Sequence, residues 1–119
     1  MEVWSEGFFG VNAGGRVVAR PAPETGLEIE IAAVVAAARE EGLSAPLLIR
    51  FQDILKARVD RLNQAFADAV SASGYASRYQ SIYPIKVNQL REVVEEILDA
   101  GSPWQLGLEC GSKPELVAA

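Results

Sequence analysis

The sequence predicts an α/β fold with a parallel sheet, and three observations predict it. Short runs rich in apolar and β-branched or aromatic residues fall at Leu47–Ile49, Tyr79–Val87 and Gln105–Cys110. Between them lie two stretches whose apolar residues recur every three or four positions, the spacing of one helix face. Each of those stretches is long enough to carry a chain back over a sheet, so the order strand, helix, strand, helix, strand implies right-handed βαβ units.

Ahead of this repeat, Phe8-Phe9-Gly10-Val11 and Arg16-Val17-Val18-Ala19 flank the turn-forming Asn12-Ala13-Gly14-Gly15, which predicts a β-hairpin. Pro21 and Pro23 stop it, because proline has no ladder donor and restricts the residue before it. Residues 1–22 are therefore expected to form a hairpin segment, with new structure from residue 23 onward. Leu27, Ile31, Val34, Val35 and Ala38 share a helical face over Leu27–Glu41, with Gly42 placed to end it. Leu47-Leu48-Ile49 follows Pro46 and suits a strand buried on both faces, the first of the parallel sheet.

Over Asp53–Ser73, Leu55, Val59, Leu62, Phe66 and Val70 form one apolar stripe opposite Lys56, Arg58, Asp60 and Arg61, a strong helix signal, and Gly74 follows. Tyr79–Val87 has strand composition. Leu90, Val93, Val94, Ile97 and Leu98 mark a further helix that Gly101-Ser102-Pro103 closes. A third parallel strand is expected at Gln105–Cys110, and Ser112–Ala119 reads as the start of another helix, with Ser112 as its N-cap and Pro114 in its first turn. Three parallel strands leave both sheet edges unpaired, so the sequence reads as part of a larger repeating architecture.

Composition narrows the function. The chain has 119 residues, a formal net charge of −5 and no basic block, which argues against a nucleic-acid footprint built from clustered Lys and Arg. Cys110 is the only cysteine and there is no histidine, so neither an internal disulfide nor a His/Cys zinc cluster can form. The longest apolar run, Ile31–Ala38, is too short to span a bilayer, and the expected setting is the cytoplasm.

Two residues stand out as candidates for chemistry. Lys86 ends the strand in Tyr83-Pro84-Ile85-Lys86-Val87-Asn88-Gln89, at the edge of the sheet where βα folds place active sites. Strand alternation puts Lys86 on one face with Pro84, and burial there would favour the neutral amine that attacks an aldehyde. A solvated lysine at the end of a strand is the commoner outcome on the residues alone. Pro84 departs from ordinary strand grammar, and a bulge or an early strand end would account for it. Glu109, alternating with Leu108 and Cys110, would share the Lys86 side if both strands line one interior, where its carboxylate would keep a nearby nitrogen protonated. A surface glutamate is the plainer reading. The glycines of Gly10–Gly15 lack a phosphate-binding lysine and precede no helix, so they are read as a turn. Asp53 is read as a favourable charge at a helix N-terminus, Cys110 as a small buried filler, and Trp4, Phe8 and Phe9 as a packing cluster.

The segment Tyr83–Gln89 resembles the cofactor-lysine segment of biosynthetic arginine decarboxylases from bacteria and plants. Three further stretches resemble the same family in the same order. Trp4-Ser5-Glu6-Gly7-Phe8-Phe9-Gly10-Val11-Asn12 is similar to its Trp-x-x-Gly-Tyr-Phe-x-Val-Asn stretch, with Phe8 where Tyr is usual. Leu47-Leu48-Ile49-Arg50-Phe51-Gln52-Asp53-Ile54-Leu55 is the second. Leu106-Gly107-Leu108-Glu109-Cys110-Gly111-Ser112-Lys113-Pro114-Glu115-Leu116 is the third, with Cys110 where Ala is common.

The resemblance implies that residues 23–119 begin a (β/α)8 TIM-type barrel that binds pyridoxal 5'-phosphate (PLP), preceded by the hairpin, with a β-rich C-terminal domain beyond. It implies that Lys86 bonds the aldehyde of PLP, that Glu109 matches an acidic residue close to that bond, and that L-arginine is converted to agmatine and CO2 for polyamine synthesis. Magnesium and a homo-oligomer are implied by the same analogy. The family's phosphate-binding glycines, pyridine-nitrogen partner and guanidinium-recognition residues belong to later segments, so the 119 residues alone are expected to be inactive. Readings left open are a related decarboxylase acting on ornithine, lysine or diaminopimelate, a PLP-binding protein without turnover, and a small α/β interaction module.

Overall fold

The expected hairpin forms and gains a third strand. The computed structural model describes residues 2–119, which form two compact units divided between Ile54 and Leu55.

The first unit opens with a single helical turn, α1 (Glu2–Ser5). Strands β1 (Phe9–Val11) and β2 (Val17–Ala19) pair antiparallel, with Gly10 opposite Val18. Asn12 shapes the turn between them: its Oδ1 accepts from the backbone N–H groups of Gly14 and Arg16, both at 3.0 Å. Strand β3 (Ile29–Glu30) adds to β2 in antiparallel register, Ala19 opposite Ile29. This corrects the expected helix start at Leu27, because Ile29 and Glu30 are held in the ladder and the helix α2 (Ile31–Glu40) begins only after them. The Glu30 carboxylate fixes that register, accepting from Asn12 Nδ2 at 3.0 Å and pairing with Arg16 at 2.9 Å. Phe8, Val18 and Ala19 form the buried centre of this unit. Phe9 stacks on Trp4 and meets Phe51 edge-on, each pair with centroids 6.2 Å apart; the aromatic cluster packs as expected, although Trp4 stays largely exposed. Gly42, at φ +83°, ends α2 as its position predicted, with Leu43 N donating to Ala38 O at 2.9 Å.

Leu47–Ile49 is not a strand, contrary to expectation. Three apolar residues have no ladder stability of their own, and among the described residues this segment has no strand partner; Leu48 is left 76% exposed.

Helix α3 (Gln52–Ser73) matches its sequence pattern, with Asp53 in its first turn as expected. In the second unit it carries a buried polar residue that the apolar stripe did not reveal. Asn63, 2% exposed, donates from Nδ2 to Val59 O at 2.8 Å and accepts at Oδ1 from the hydroxyl of Ser81, 5% exposed, at 2.9 Å. A second clasp joins Trp104 Nε1 to Asp60 Oδ1 at 3.0 Å, and a third joins Gln80 Nε2 to the Gln105 carbonyl at 3.0 Å.

Strands β4 (Ile82–Pro84) and β5 (Gly107–Glu109) pair in parallel, as the βαβ pattern requires, with Ile82, Tyr83 and Pro84 opposite Gly107, Leu108 and Glu109. Both are shorter than expected. Helix α4 (Arg91–Gly101) crosses between them and buries Val93, Val94, Ile97, Ala100 and Gly101, one stripe at helical spacing. Burying each of the two valines and Ile97 stabilises the unit by about 1.5–3 kcal/mol. A 3₁₀ turn, Ser102–Trp104, follows, and the chain reverses through Gln105 at φ +56°, with Leu106 N donating to Gly101 O at 3.1 Å. That left-handed residue ends the expected strand early on its N-terminal side. Helix α5 (Lys113–Ala118) starts as predicted: Ser112 Oγ accepts from Glu115 N at 3.4 Å, and Pro114 sits in the first turn.

Candidate active site

Lys86 lies just beyond the C-terminal end of β4. The strand stops at Pro84, and the chain turns at once into a single 3₁₀ turn, Ile85–Val87. Gly107 N donates to Ser81 O at 3.1 Å, so the bonded edge of β4 is at Ser81 and Tyr83 and the nitrogen of Pro84, which has no N–H, faces away from β5; the proline is tolerated there as the terminal strand residue. This resolves the irregularity seen in the sequence as an early strand end. It also corrects the expected placement of Lys86 on the strand face beside Pro84. Ile85 is buried, 4% exposed, whereas Lys86 is exposed and Val87 is 70% exposed, a pattern of a turn and not of strand alternation. Lys86 is solvated, the commoner outcome on the residues alone, and not buried on a strand face; among the described residues its amine makes no ion pair or hydrogen bond.

The turn is fastened at both ends. Tyr83 Oη donates to the Asn88 carbonyl at 3.2 Å, and Asn88 Oδ1 accepts from Leu90 N at 3.1 Å, immediately before α4. The sequence reading missed both residues; an asparagine two positions before a helical stripe is the Asx-turn signal that could have found Asn88.

Glu109 is the last residue of β5 and lies opposite Pro84 in the ladder, so it and Lys86 belong to the same C-terminal edge of the parallel pair. Adjacent strands run about 4.8 Å apart. Glu109 is partly buried, and its carboxylate folds toward the Gly111 turn: a Cβ added to Gly111 would meet Glu109 Oε1 at 3.2 Å. Glu115 Oε2 accepts from Gly111 N at 2.6 Å, which closes this turn onto α5. Cys110, partly buried and free, follows Glu109 without entering any hydrogen bond.

A cavity of about 670 Å³ in this unit is lined by Ile85, Val94, Leu98, Leu108, Pro114 and Ala118, among others, and by neither Lys86 nor Glu109. Leu108 alternates with Glu109 along β5, so this cavity lies on the helix-covered face of the strand and not at the candidate site. Among the described residues no group of three or more His, Cys, Asp or Glu side chains is arranged to hold a metal ion, and no helix is long and apolar enough to cross a membrane.

No family model matches the chain. Curated relatives do match over essentially its whole length. A biosynthetic arginine decarboxylase of Alkalilimnicola ehrlichii is 51% identical over 97% of the chain, arginine decarboxylase 1 of Oryza sativa is 49% identical over 98%, and a biosynthetic arginine decarboxylase of Prochlorococcus marinus is 43% identical over 100%. This chain is homologous to one stretch of the biosynthetic arginine decarboxylases. It spans 18% of the length of those three relatives. The crystal structure of the biosynthetic arginine decarboxylase of Campylobacter jejuni superposes with a TM-score of 0.86 at 29% identity, over 99% of this chain and 19% of that one. The α/β architecture described above matches that of the corresponding segment of the Campylobacter jejuni structure.

Proposed function

We propose that this chain is the cofactor-lysine segment of a PLP-dependent arginine decarboxylase, a carbon–carbon lyase acting on L-arginine. The observation that carries the reading is the position of Lys86: an exposed, unpartnered amine on a fastened turn at the C-terminal edge of a parallel strand pair, where βα folds assemble active sites. The side chain fits the cofactor in donor type, since a primary amine free of ion pairs can bond an aldehyde carbon.

PLP, when bound, supplies an electron sink for the pair released as the substrate carboxylate leaves as CO2. The chain's own residues do the rest of what can be assigned here. Lys86 Nζ would hold the cofactor by its aldehyde. Glu109, at the same sheet edge, would favour a protonated nitrogen there through opposite charge once its carboxylate swings from the Gly111 turn toward Lys86. The hydrogen-bonded turn fixes where the Lys86 backbone stands, so the amine reaches its target through side-chain torsions alone.

The strand–helix order supports a (β/α)8 barrel in the full protein, with β4 and β5 as two neighbouring barrel strands and their C-terminal edge facing the barrel mouth. Agmatine is the product in this reading, and polyamine synthesis its destination. A homo-oligomer in the cytoplasm is the expected state, and any magnesium would draw its ligands from other segments. Because a dry, closed mouth needs the remaining strands, the 119 residues alone are expected to release no CO2 from arginine.

The test compares the full-length protein with its Lys86→Ala variant, reading the visible absorption of bound PLP and the agmatine formed from arginine. Both signals present in the wild type and both lost in the variant are expected. PLP absorption without agmatine would redirect the reading to another substrate or to a carrier, and no PLP absorption in the wild type would refute it.

A further inference from the structure

We infer that Tyr83 is a positioning residue for Lys86, an inference that rests on the reading of Lys86 as the cofactor lysine. Between the end of β4 and the start of α4 the chain runs through Ile85–Leu90 outside the strand ladder. Three anchors replace the ladder. Ile85 is buried beneath the turn. Asn88 ties its side chain to Leu90 N at the mouth of α4. Tyr83, still in the ladder opposite Leu108, reaches over the turn and donates its hydroxyl to the Asn88 carbonyl at 3.2 Å.

Among the described residues this is the one side-chain hydrogen bond within the turn that passes from one side of Lys86 to the other. It closes a loop whose ends are a sheet strand and the Asx turn that leads into α4, so the Lys86 Cα is held relative to both while its side chain remains free in solvent. Removing the hydroxyl leaves the ring in place and the Asn88–Leu90 bond intact, but it unties the loop. Misplacement of a reacting group by about 1 Å costs up to roughly 100-fold in rate, so a loosened turn is expected to cost several-fold.

The test uses the full-length apoprotein, incubated with PLP and reduced with borohydride, with incorporation at each lysine read by peptide mass spectrometry. Lys56 and Lys113 serve as internal references, because neither lies in the turn. Tyr83→Phe is expected to lower incorporation at Lys86 roughly 3- to 10-fold, with the references and the melting temperature unchanged. In the loaded enzyme kcat should fall while KM for arginine stays within about twofold, the split expected of a lost transition-state alignment. Asn88→Ala, which loosens the far anchor, should shift Lys86 in the same direction. Equal incorporation at Lys86 in wild type and Tyr83→Phe would overturn the positioning role and leave the lysine reading intact. No incorporation at Lys86 in the wild type would overturn the lysine reading and this inference with it. A loss at all three lysines together with a lower melting temperature would mark a folding defect and overturn the positioning role.

Discussion

The Asn63–Ser81 pair is expected to contribute more to the local stability of the second unit than any surface ion pair in it. Asn63→Ala removes two hydrogen bonds, one to Val59 O and one from Ser81, and strands the buried Ser81 hydroxyl without a partner. A buried polar group left unsatisfied costs about 1–3 kcal/mol, and each lost bond adds about 1 kcal/mol, so the variant should lose about 2–3 kcal/mol after partial relaxation. Ser81→Ala strands Asn63 Oδ1 in turn and should lose about 1–2 kcal/mol. The double variant removes donor and acceptor together, so its loss should fall short of the sum of the singles by about 1 kcal/mol or more. Native-state amide exchange in the full-length protein, read over peptides covering residues 59–70 and 79–84, reports the local opening energy directly. At about 1.4 kcal/mol per tenfold, Asn63→Ala should speed exchange there by roughly 30- to 150-fold. Additive single effects would show that the two side chains do not depend on each other and would refute the reasoning.

Two further substitutions test the link between α4 and β5. A Cβ at Gly101 would collide with Leu106 Cβ, so Gly101→Ala should destabilise the unit despite the better helix propensity of alanine, by about 1–2 kcal/mol, seen as faster exchange over residues 97–108. Gln105→Gly should act oppositely, slowing exchange over the same peptide by up to about fivefold, because φ +56° costs a side-chain-bearing residue about 1 kcal/mol that glycine avoids, while the carbonyl that Gln80 contacts is retained.

What the sequence made legible follows the length scale of the signal. The helices α3 and α4 and the cap at Ser112 were readable because each rests on spacings of three or four residues, and the hairpin because its turn chemistry is local. β3 escaped because two residues, Ile29 and Glu30, carry no alternation, and their strand character comes only from pairing with β2. Leu47–Ile49 failed in the opposite sense: its composition suits a strand, but composition supplies no partner. At the candidate site, Pro84 signalled a broken ladder, yet whether Lys86 continued the alternation or entered a turn depended on Ile85 finding a buried position. Nothing in local spacing reveals Asn63 with Ser81, or Asp60 with Trp104, because each pair is assembled by the fold from residues far apart in the chain.

The clasps of the second unit have a consequence for how this segment tolerates change. Ser81, Gln80, Trp104 and Gln105 all precede the strands β4 and β5, whereas Lys86 and Glu109 follow or end them. The clasps to α3 and between the strand entries therefore lie at the opposite end of the two strands from the candidate chemistry. Loops after β4 and β5 can drift or be exchanged in search of new substrates without loosening the sheet, and the residues before the strands can be strengthened without touching the reacting edge. A library that varies residues 86, 87 and 110–112 should accordingly keep most of its members folded, whereas one that varies Ser81 and Trp104 should lose them.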